Sequence, residues 1–359
     1  MTECTQGTFH FHTGSRRQGQ AAFDGGTISS DGGVLLLGQV ERATGILRQF
    51  SQCFVDHRRP DRIEHPVEDL VAQRVYGLCL GYEDLNDQDT LRHDPLLATV
   101  VGKTNPLGQQ RVRARDRGQA LAGKSTLNRL ELTPADADEE SRYQKIVLKK
   151  RAVEDLLVDL FLQAHPQPPQ EPIILDLDAT DDPLHGQQQG RFFHGYYEEY
   201  CYLPLYIFCG EHLLCARLRP ACLDASAGAL KQLQRIIARI RRAWPQTPII
   251  VRGDSGFCRE PLMAWCEKEK VDYVLGLAKN ARLLQAIGAE LHQAQEAHAA
   301  SGQAARVFAE LTYCTRKSWS RARRVVALSQ SYPLQALFTA LWQRLSQAPV
   351  WRQPGPALG

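Results

Sequence analysis

Apolar residues recur at helical spacing through the chain to about residue 165. "SSDGGVLLLGQVERATGILRQF" starts with a cap at Ser30 or Asp31 and then runs as an amphipathic helix. "IEHPVEDLVAQRVYGLCLGYEDL" and "SRYQKIVLKKRAVEDLLVDLFLQAH" carry the same period. "HPQPPQEP", ending at Pro172, breaks the pattern and marks a domain boundary.

Beyond it the pattern is that of strands. "IILDLD", from Ile173 to Asp178, predicts a short buried strand. "YCYLPLYIFCG" and "EHLLCARLRP" predict two more, joined by a hairpin at Gly210-Glu211. "SAGALKQLQRIIARIRRAWP" predicts a long helix capped near Ser226 and stopped by Pro245. A strand in "TPIIVRGDSG", a helix in "REPLMAWCEKEK" with Pro261 near its start, and a buried strand in "VDYVLGLA" complete the order. There is no internal repeat and no low-complexity tract.

A chain of 359 residues is long enough for two domains. Its 43% hydrophobic and 23% charged residues are those of a soluble globular protein. A net charge of +3 is too small to identify a nucleic-acid partner by itself. No apolar run is long enough to span a membrane, and the N-terminus lacks a signal-peptide core, so a cytoplasmic protein with no membrane partner is expected. The ten cysteines are scattered, with no C-x-x-C pair, and several lie in apolar runs. Reduced thiols are expected, and structural zinc is not.

"GQALAGKST", from Gly118 to Thr126, matches the P-loop pattern. A P-loop hangs from a buried strand, yet "GQQRVRARDR" precedes Gly118 with four arginines and a lone Val. A basic loop running into a short helix stopped by Pro134 fits better, so no nucleotide cofactor is expected. The arginines there fit DNA phosphates and a solvated loop equally well.

Asp178 ends one apolar strand, and Asp254 follows another in "PIIVRGDSG". Taken singly, each fits an ordinary turn or helix cap. The order of elements adds more: three antiparallel strands, helix, strand, helix, strand is that of a ribonuclease-H-like domain. In such a sheet the first and fourth strands are neighbours, which brings Asp178 and Asp254 together. Crowded carboxylates repel unless a cation sits between them, which points to Mg²⁺ or Mn²⁺. Paired ions about 4 Å apart would stabilise in-line displacement at a phosphodiester. Asp176 lies on the same face one pleat deeper, and Asp181 and Asp182 either contribute or shape the turn. His185 and His194 lack metal-ligand spacing and are expected to make ordinary hydrogen bonds. Arg235, Arg239 and Arg242 share one helix face, which suits either a DNA backbone or plain solvent.

Five blocks together resemble the insertion sequence 1380 family of bacterial DDE transposases. They are "SSDGGVLLLGQVER", "DHRRPDRIEHPVEDLVAQRVYGLCLGYEDLNDQDTLRHDPLL", "LAGKSTLNRLEL", "ILDLDATDDPLHGQQQGRFFHGYYEEYCYLPLYIFCGEHLLCARLRP" and "RGDSGFCREPLMAWCE". The resemblance implies an α/β fold, a helical N-terminal region followed by a ribonuclease-H-like mixed-sheet catalytic domain. The expected divisions are an arm at 1–30, a helical region at 31–168 that binds transposon ends, a catalytic domain at 169–327, and a non-family tail at 328–359. It implies divalent-metal cleavage and strand transfer of double-stranded DNA, at transposon ends and target, by an enzyme able to form a homo-oligomer. The family's first two catalytic, metal-holding acids map onto Asp178 and Asp254. The family's third, a Glu on a later helix, has no match: from Leu311 to Gly359 there is no Asp or Glu, while seven Lys or Arg occur. The catalytic domain is therefore expected to be incomplete at its C-terminus, as in a truncated or frameshifted copy, with Glu290, Glu296 and Glu310 as the remaining stand-ins. A non-catalytic DNA-binding remnant is the alternative reading.

Overall fold

The computed structural model describes residues 9–12, 18–21 and 31–331. Contacts divide the chain into two units. The first comprises 1–168 with 212–216 and 236–245; the second comprises 169–211, 217–235 and 246–359. Most of the expected arm and tail lies outside the described residues.

The first unit is mainly helical. Its helices are α1 (Val34–Thr44), α2 (Ile46–Ser51), α3 (Val67–Cys79), α4 (Gln88–Leu91), α5 (Pro95–Val101), α6 (Lys124–Glu131) and α7 (Lys150–Ala164). Two short antiparallel pairs accompany them: β1 (Phe9–His12) with β2 (Gln18–Ala21), and β3 (Phe54–Asp56) with β4 (Ile146–Leu148). Local chemistry sets the helix ends. At α5 the Asp94 carboxylate accepts from the Leu96 and Leu97 amides, Pro95 opens the first turn, and Gly102 closes it at φ 101°. At α1 the expected cap moves: Ser30 lies outside the described residues, and Gly33 is the N-cap without a side-chain bond. Asp31 instead offers its carbonyl to Val34 and its carboxylate to the Tyr82 hydroxyl at 3.1 Å.

Two apolar clusters form the core of this unit. One gathers Val34, Tyr76, Leu91, Leu97 and Leu121; the other gathers Leu70, Val71, Leu127, Leu130 and Ile146. Between them Gln73, 1% exposed, acts as a surrogate backbone. Its amide donates to the Ala122 carbonyl at 2.8 Å and to Gln88 at 2.9 Å, and its oxygen accepts from the Ala122 amide at 2.9 Å. That anchor fixes the approach to the GKST segment. No strand lies between 102 and 123, where only turns and a 3₁₀ turn at Ala114–Asp116 occur. The P-loop is absent because nothing supplies its buried strand, and the Lys124 ammonium is held by Asn86 at 3.0 Å and Asp89 at 3.4 Å.

In the second unit the strands are β5 (Ile173–Ala179), β6 (Asp182–Pro183), β7 (Phe192–His194), β8 (Glu199–Tyr202) and β9 (Leu205–Cys209). In chain order there follow β10 (His212–Arg217) and α8 (Ala229–Ala243), of which 212–216 and 236–243 belong to the first unit, then β11 (Ile249–Gly253), α9 (Glu260–Lys268) and β12 (Asp272–Leu275). Helices α10 (Ala281–Ala286) and α11 (Gly288–Ser301) precede the long antiparallel hairpin β13 (Ala305–Tyr313) and β14 (Arg323–Ser331). The main sheet has the order β10-β9-β5-β11-β12. β9 runs antiparallel to β5, and β5, β11 and β12 are parallel. The first and fourth strands of the predicted series are thus neighbours.

Two strand expectations change. "YCYLPLYIFCG" is two strands, because Leu203-Pro204 interrupts it and proline has no amide for a ladder. Tyr202 and its neighbours join a separate three-stranded sheet of order β6-β8-β7. β12 is an edge strand with one neighbour, so Val274 is 63% exposed rather than buried. Two guanidinium clamps complete the unit. Arg219 donates to the Leu203, Ala225 and Ala227 carbonyls at 2.7–3.0 Å. Arg323 ties the hairpin to Glu260 at 2.6 Å and Glu267 at 2.7 Å on α9.

Candidate active site

The register of β5 and β11 pairs Ile249 with Ile173 through Gly253 with Leu177. The next residue on each strand is Asp254 and Asp178. Both carboxylates therefore emerge at the C-terminal ends of adjacent parallel strands, the end at which open α/β sheets bind ligands. Both residues are exposed. Alternation along β5 buries Ile173, Leu175 and Leu177 and leaves Asp178 outward.

Asp254 is held more tightly than its sequence suggests. Its side chain accepts from the Gly256 amide at 2.8 Å, opening the 3₁₀ turn Ser255–Phe257, whose Phe257 is fully buried. Gly276, just past β12, donates to the Gly253 carbonyl at 2.9 Å. A Cβ on Gly276 would lie 2.8 Å from the Ser255 nitrogen and 3.1 Å from the Asp254 carbonyl carbon. Only glycine lets the neighbouring strand approach this closely.

Tyr197 stands in the turn of the small sheet. That β7–β8 turn closes with the Glu198 amide donating to the His194 carbonyl at 2.8 Å, and Glu198 takes φ 57°. Burial first, then the charges of Asp181, Tyr196, Asp178 and Asp254, push the Tyr197 phenol above its ordinary pKa. One ring thus senses both carboxylates. The Glu199 carboxyl is also raised, by desolvation and then by a hydrogen bond with Asp181.

The other predicted residues divide. Asp176 is occupied by Arg252, which donates to both its oxygens, one at 2.7 Å. Asp182 lies in β6, and Asp181 faces Glu199. His185 is exposed; the His194 ring stacks on Tyr197 at 4.9 Å, and its buried Nδ1 lacks the expected hydrogen bond among the described residues. The arginine face of α8 is neither a DNA track nor plain solvent surface as a whole. Arg235 is buried, and Arg239 is forked onto Asp159 at 2.6 and 2.5 Å, leaving Arg242 exposed.

Glu310 is engaged by Arg324 at 2.7 Å and Glu296 by His292 at 3.4 Å. Among the described residues no group of three His, Cys, Asp or Glu side chains gathers to hold a metal. Among the described residues nine cysteines are free thiols, of which Cys53, Cys201, Cys215 and Cys266 are buried. No described helix is long and apolar enough to cross a membrane.

The family model described as transposase DDE domain group 1 matches residues 11–340. The chain belongs to this family. No curated protein sequence matches the chain. Two solved structures are similar to it. One is a piggyBac transposase synaptic complex with hairpin DNA, at 13% identity and TM-score 0.33, covering 82% of this chain and 60% of that one. The other is a Mos1 transposase paired-end complex with the left transposon end, at 10% identity and TM-score 0.22, covering 70% and 61%. The chain thus spans about three fifths of each.

Sequence reasoning alone did not reach Tyr197, Gly276 or the Arg323 clamp. The run "HGYYEEY" held a signal for the first, as exposed aromatics interleaved with acids beside a candidate site.

Proposed function

We propose that this chain is a DDE transposase of the insertion sequence 1380 family that acts on double-stranded DNA. Asp178 and Asp254 are its catalytic carboxylates and the ligands of Mg²⁺ or Mn²⁺. The observation that carries this reading is their position at adjacent ends of parallel strands. Exposed carboxylate oxygens are the donors that hard divalent cations prefer. Bound there, such a cation supplies charge neutralisation and orientation at a phosphodiester. The chain's own part is to hold the two acids rigidly: the Asp254 turn against Gly276, Asp178 on its strand. The helical region 31–168 contacts the DNA ends, and 169–327 is the catalytic domain.

Glu296 pairs with His292 and Glu310 with Arg324, and no third carboxylate gathers with the two acids among the described residues. Phosphoryl transfer depends on positioning and charge stabilisation together, so losing one of three carboxylates weakens both. The expected behaviour is DNA and metal binding with little or no strand cleavage.

The test combines two readouts on the chain and its Asp178→Ala and Asp254→Ala variants. The first is tyrosine-sensitised Tb³⁺ luminescence competed by Mn²⁺; the second is nicking of a labelled duplex in Mg²⁺ or Mn²⁺. Luminescence lost in both variants, without nicking, supports the reading in full. Metal-dependent nicking abolished by both substitutions keeps the site and overturns the missing third ligand. Luminescence unchanged by either substitution removes the metal site.

A further inference from the structure

We infer that a groove in the helical unit, built around Arg129, Arg142 and Tyr143, is a binding site for the phosphodiester backbone of duplex DNA. The groove encloses about 830 Å³ and runs from the N-terminal half of α6 to the loop after it. Tyr143, 58% exposed, stands on its wall with two guanidinium groups over its ring, Arg142 at 4.9 Å and Arg129 at 5.6 Å from the centroid. Among the described residues neither guanidinium has a carboxylate within ion-pair distance. Asp136 is the only acid lining the groove among the described residues, so the lining is net positive even with Lys124 discounted for its bond to Asp89. Asn128 adds an amide donor on the same wall.

These features fit a polyanion. A guanidinium resting on an aromatic face keeps its in-plane N–H donors directed outward, and that planar fork matches a phosphate bidentately. Two such forks on one ring present adjacent donors, which suits successive phosphates of a strand rather than one small anion. The groove also adjoins the GKST segment, yet a free nucleoside triphosphate is a poor occupant. The glycine loop hangs from no strand, and the Lys124 ammonium that would reach the phosphates is already held by Asn86 and Asp89. The inference rests on the reading of the chain as DNA-acting, and it names where the helical unit makes that contact.

The experiment is fluorescence anisotropy with a labelled duplex, in EDTA, over a series of salt concentrations. It compares the full chain with Arg129→Ala/Arg142→Ala, with Arg142→Gln, and with Arg151→Ala. Arg151 is an exposed arginine of the same unit, bonded to Asp155, and controls for charge alone. The double variant is expected to bind at least about tenfold more weakly, with the slope of log affinity against log salt reduced by about two. Arg142→Gln, at an exposed loop position that does not threaten folding, should reduce the slope by about one, and Arg151→Ala should leave it unchanged. Equal slopes for the chain and the double variant overturn the inference, as does a chain that binds no duplex. So does a fluorescent ATP analogue that binds the chain and is released by Arg142→Gln while duplex binding persists. Tb³⁺ luminescence, measured alongside, should be the same in every groove variant. A failed groove and a failed acid pair are therefore told apart.

Discussion

In the helical unit the buried polar side chains are neutral. Gln73 and Gln88 meet through their amides, and His65 lies between Lys103 and Arg111 at 3.2 and 2.9 Å. Burial, then the charges of those two residues with Arg92 and Arg58, lowers the His65 pKa to about 3 and keeps the imidazole uncharged. In the sheet unit the buried polar groups are mostly cations: Arg219, Arg235 and Arg323 are each less than a tenth exposed. The Glu260 carboxyl is held at about 2 by its bond from Arg323, against the desolvation that would raise it. A helical core can satisfy its backbone within each helix, so a neutral amide suffices where a loop must be tied. The sheet unit has long hairpins and irregular crossings, whose carbonyls and carboxylates need donors with reach and charge.

The comparison breaks most visibly at Arg323. Arg323→Ala should cost about 3 kcal/mol, because two carboxylates lose their partner in a partly buried setting. The loss should appear in hydrogen exchange over 305–331 and 260–268, with the helical unit unchanged. Protection falling equally in both units would mean that the division by polar chemistry has no energetic meaning.

Next in size is Gln73→Ala, expected to cost about 2 kcal/mol by leaving the Ala122 amide and carbonyl and the Gln88 side chain unsatisfied. Chemical denaturation reads the total, and exchange at 118–131 locates it. A variant as stable as the parent would show that water replaces the glutamine without penalty.

Acid should separate the units in a set order. His65 has a folded pKa below its ordinary 6.5, so its contribution is present above pH 6.5 and is lost as pH falls from there toward 3. Glu260 has a folded pKa below its ordinary 4.5, so its contribution persists to about that pH and is lost between 4.5 and 2. Each pH unit inside a window costs up to about 1.4 kcal/mol. Exchange at pH 5 should therefore rise in the helical unit first, and the opposite order would reverse the assignment.

Smaller again is Gly276→Ala. The added Cβ forces the Asp254 turn aside, and Tb³⁺ affinity should fall by about tenfold, equal to about 1.4 kcal/mol. Unchanged affinity would show that the turn yields at no cost. Smallest is Glu310→Ala: this exposed pair with Arg324 is open to solvent, and no change in melting temperature is expected.

Much of this was legible from patterns of short range. The helices, the strands at 173–179 and 249–253, the Pro245 stop and the absence of a P-loop follow from periodicity, breakers and caps, which depend on residues a few positions apart. Strand neighbours were legible only through the order of elements, and that order brought Asp178 beside Asp254. What stayed hidden depends on distant partners. "YCYLPLYIFCG" looks like one strand until Pro204 sends its halves to different sheets, and the arginines of α8 look like one charged face until Asp159 takes Arg239 and burial takes Arg235.

By itself, then, the sequence determined which segments are helices or strands and which two acids end apolar strands. Tertiary structure alone decided that Gly276 pins the Asp254 turn, that burial and nearby acids raise the Tyr197 phenol, and that Arg129 and Arg142 over Tyr143 have no acid partner among the described residues. Local propensity is a property of neighbours along the chain. A side chain's charge state, its freedom to bind and the space left for a Cβ are set by atoms that only folding brings within a few ångströms.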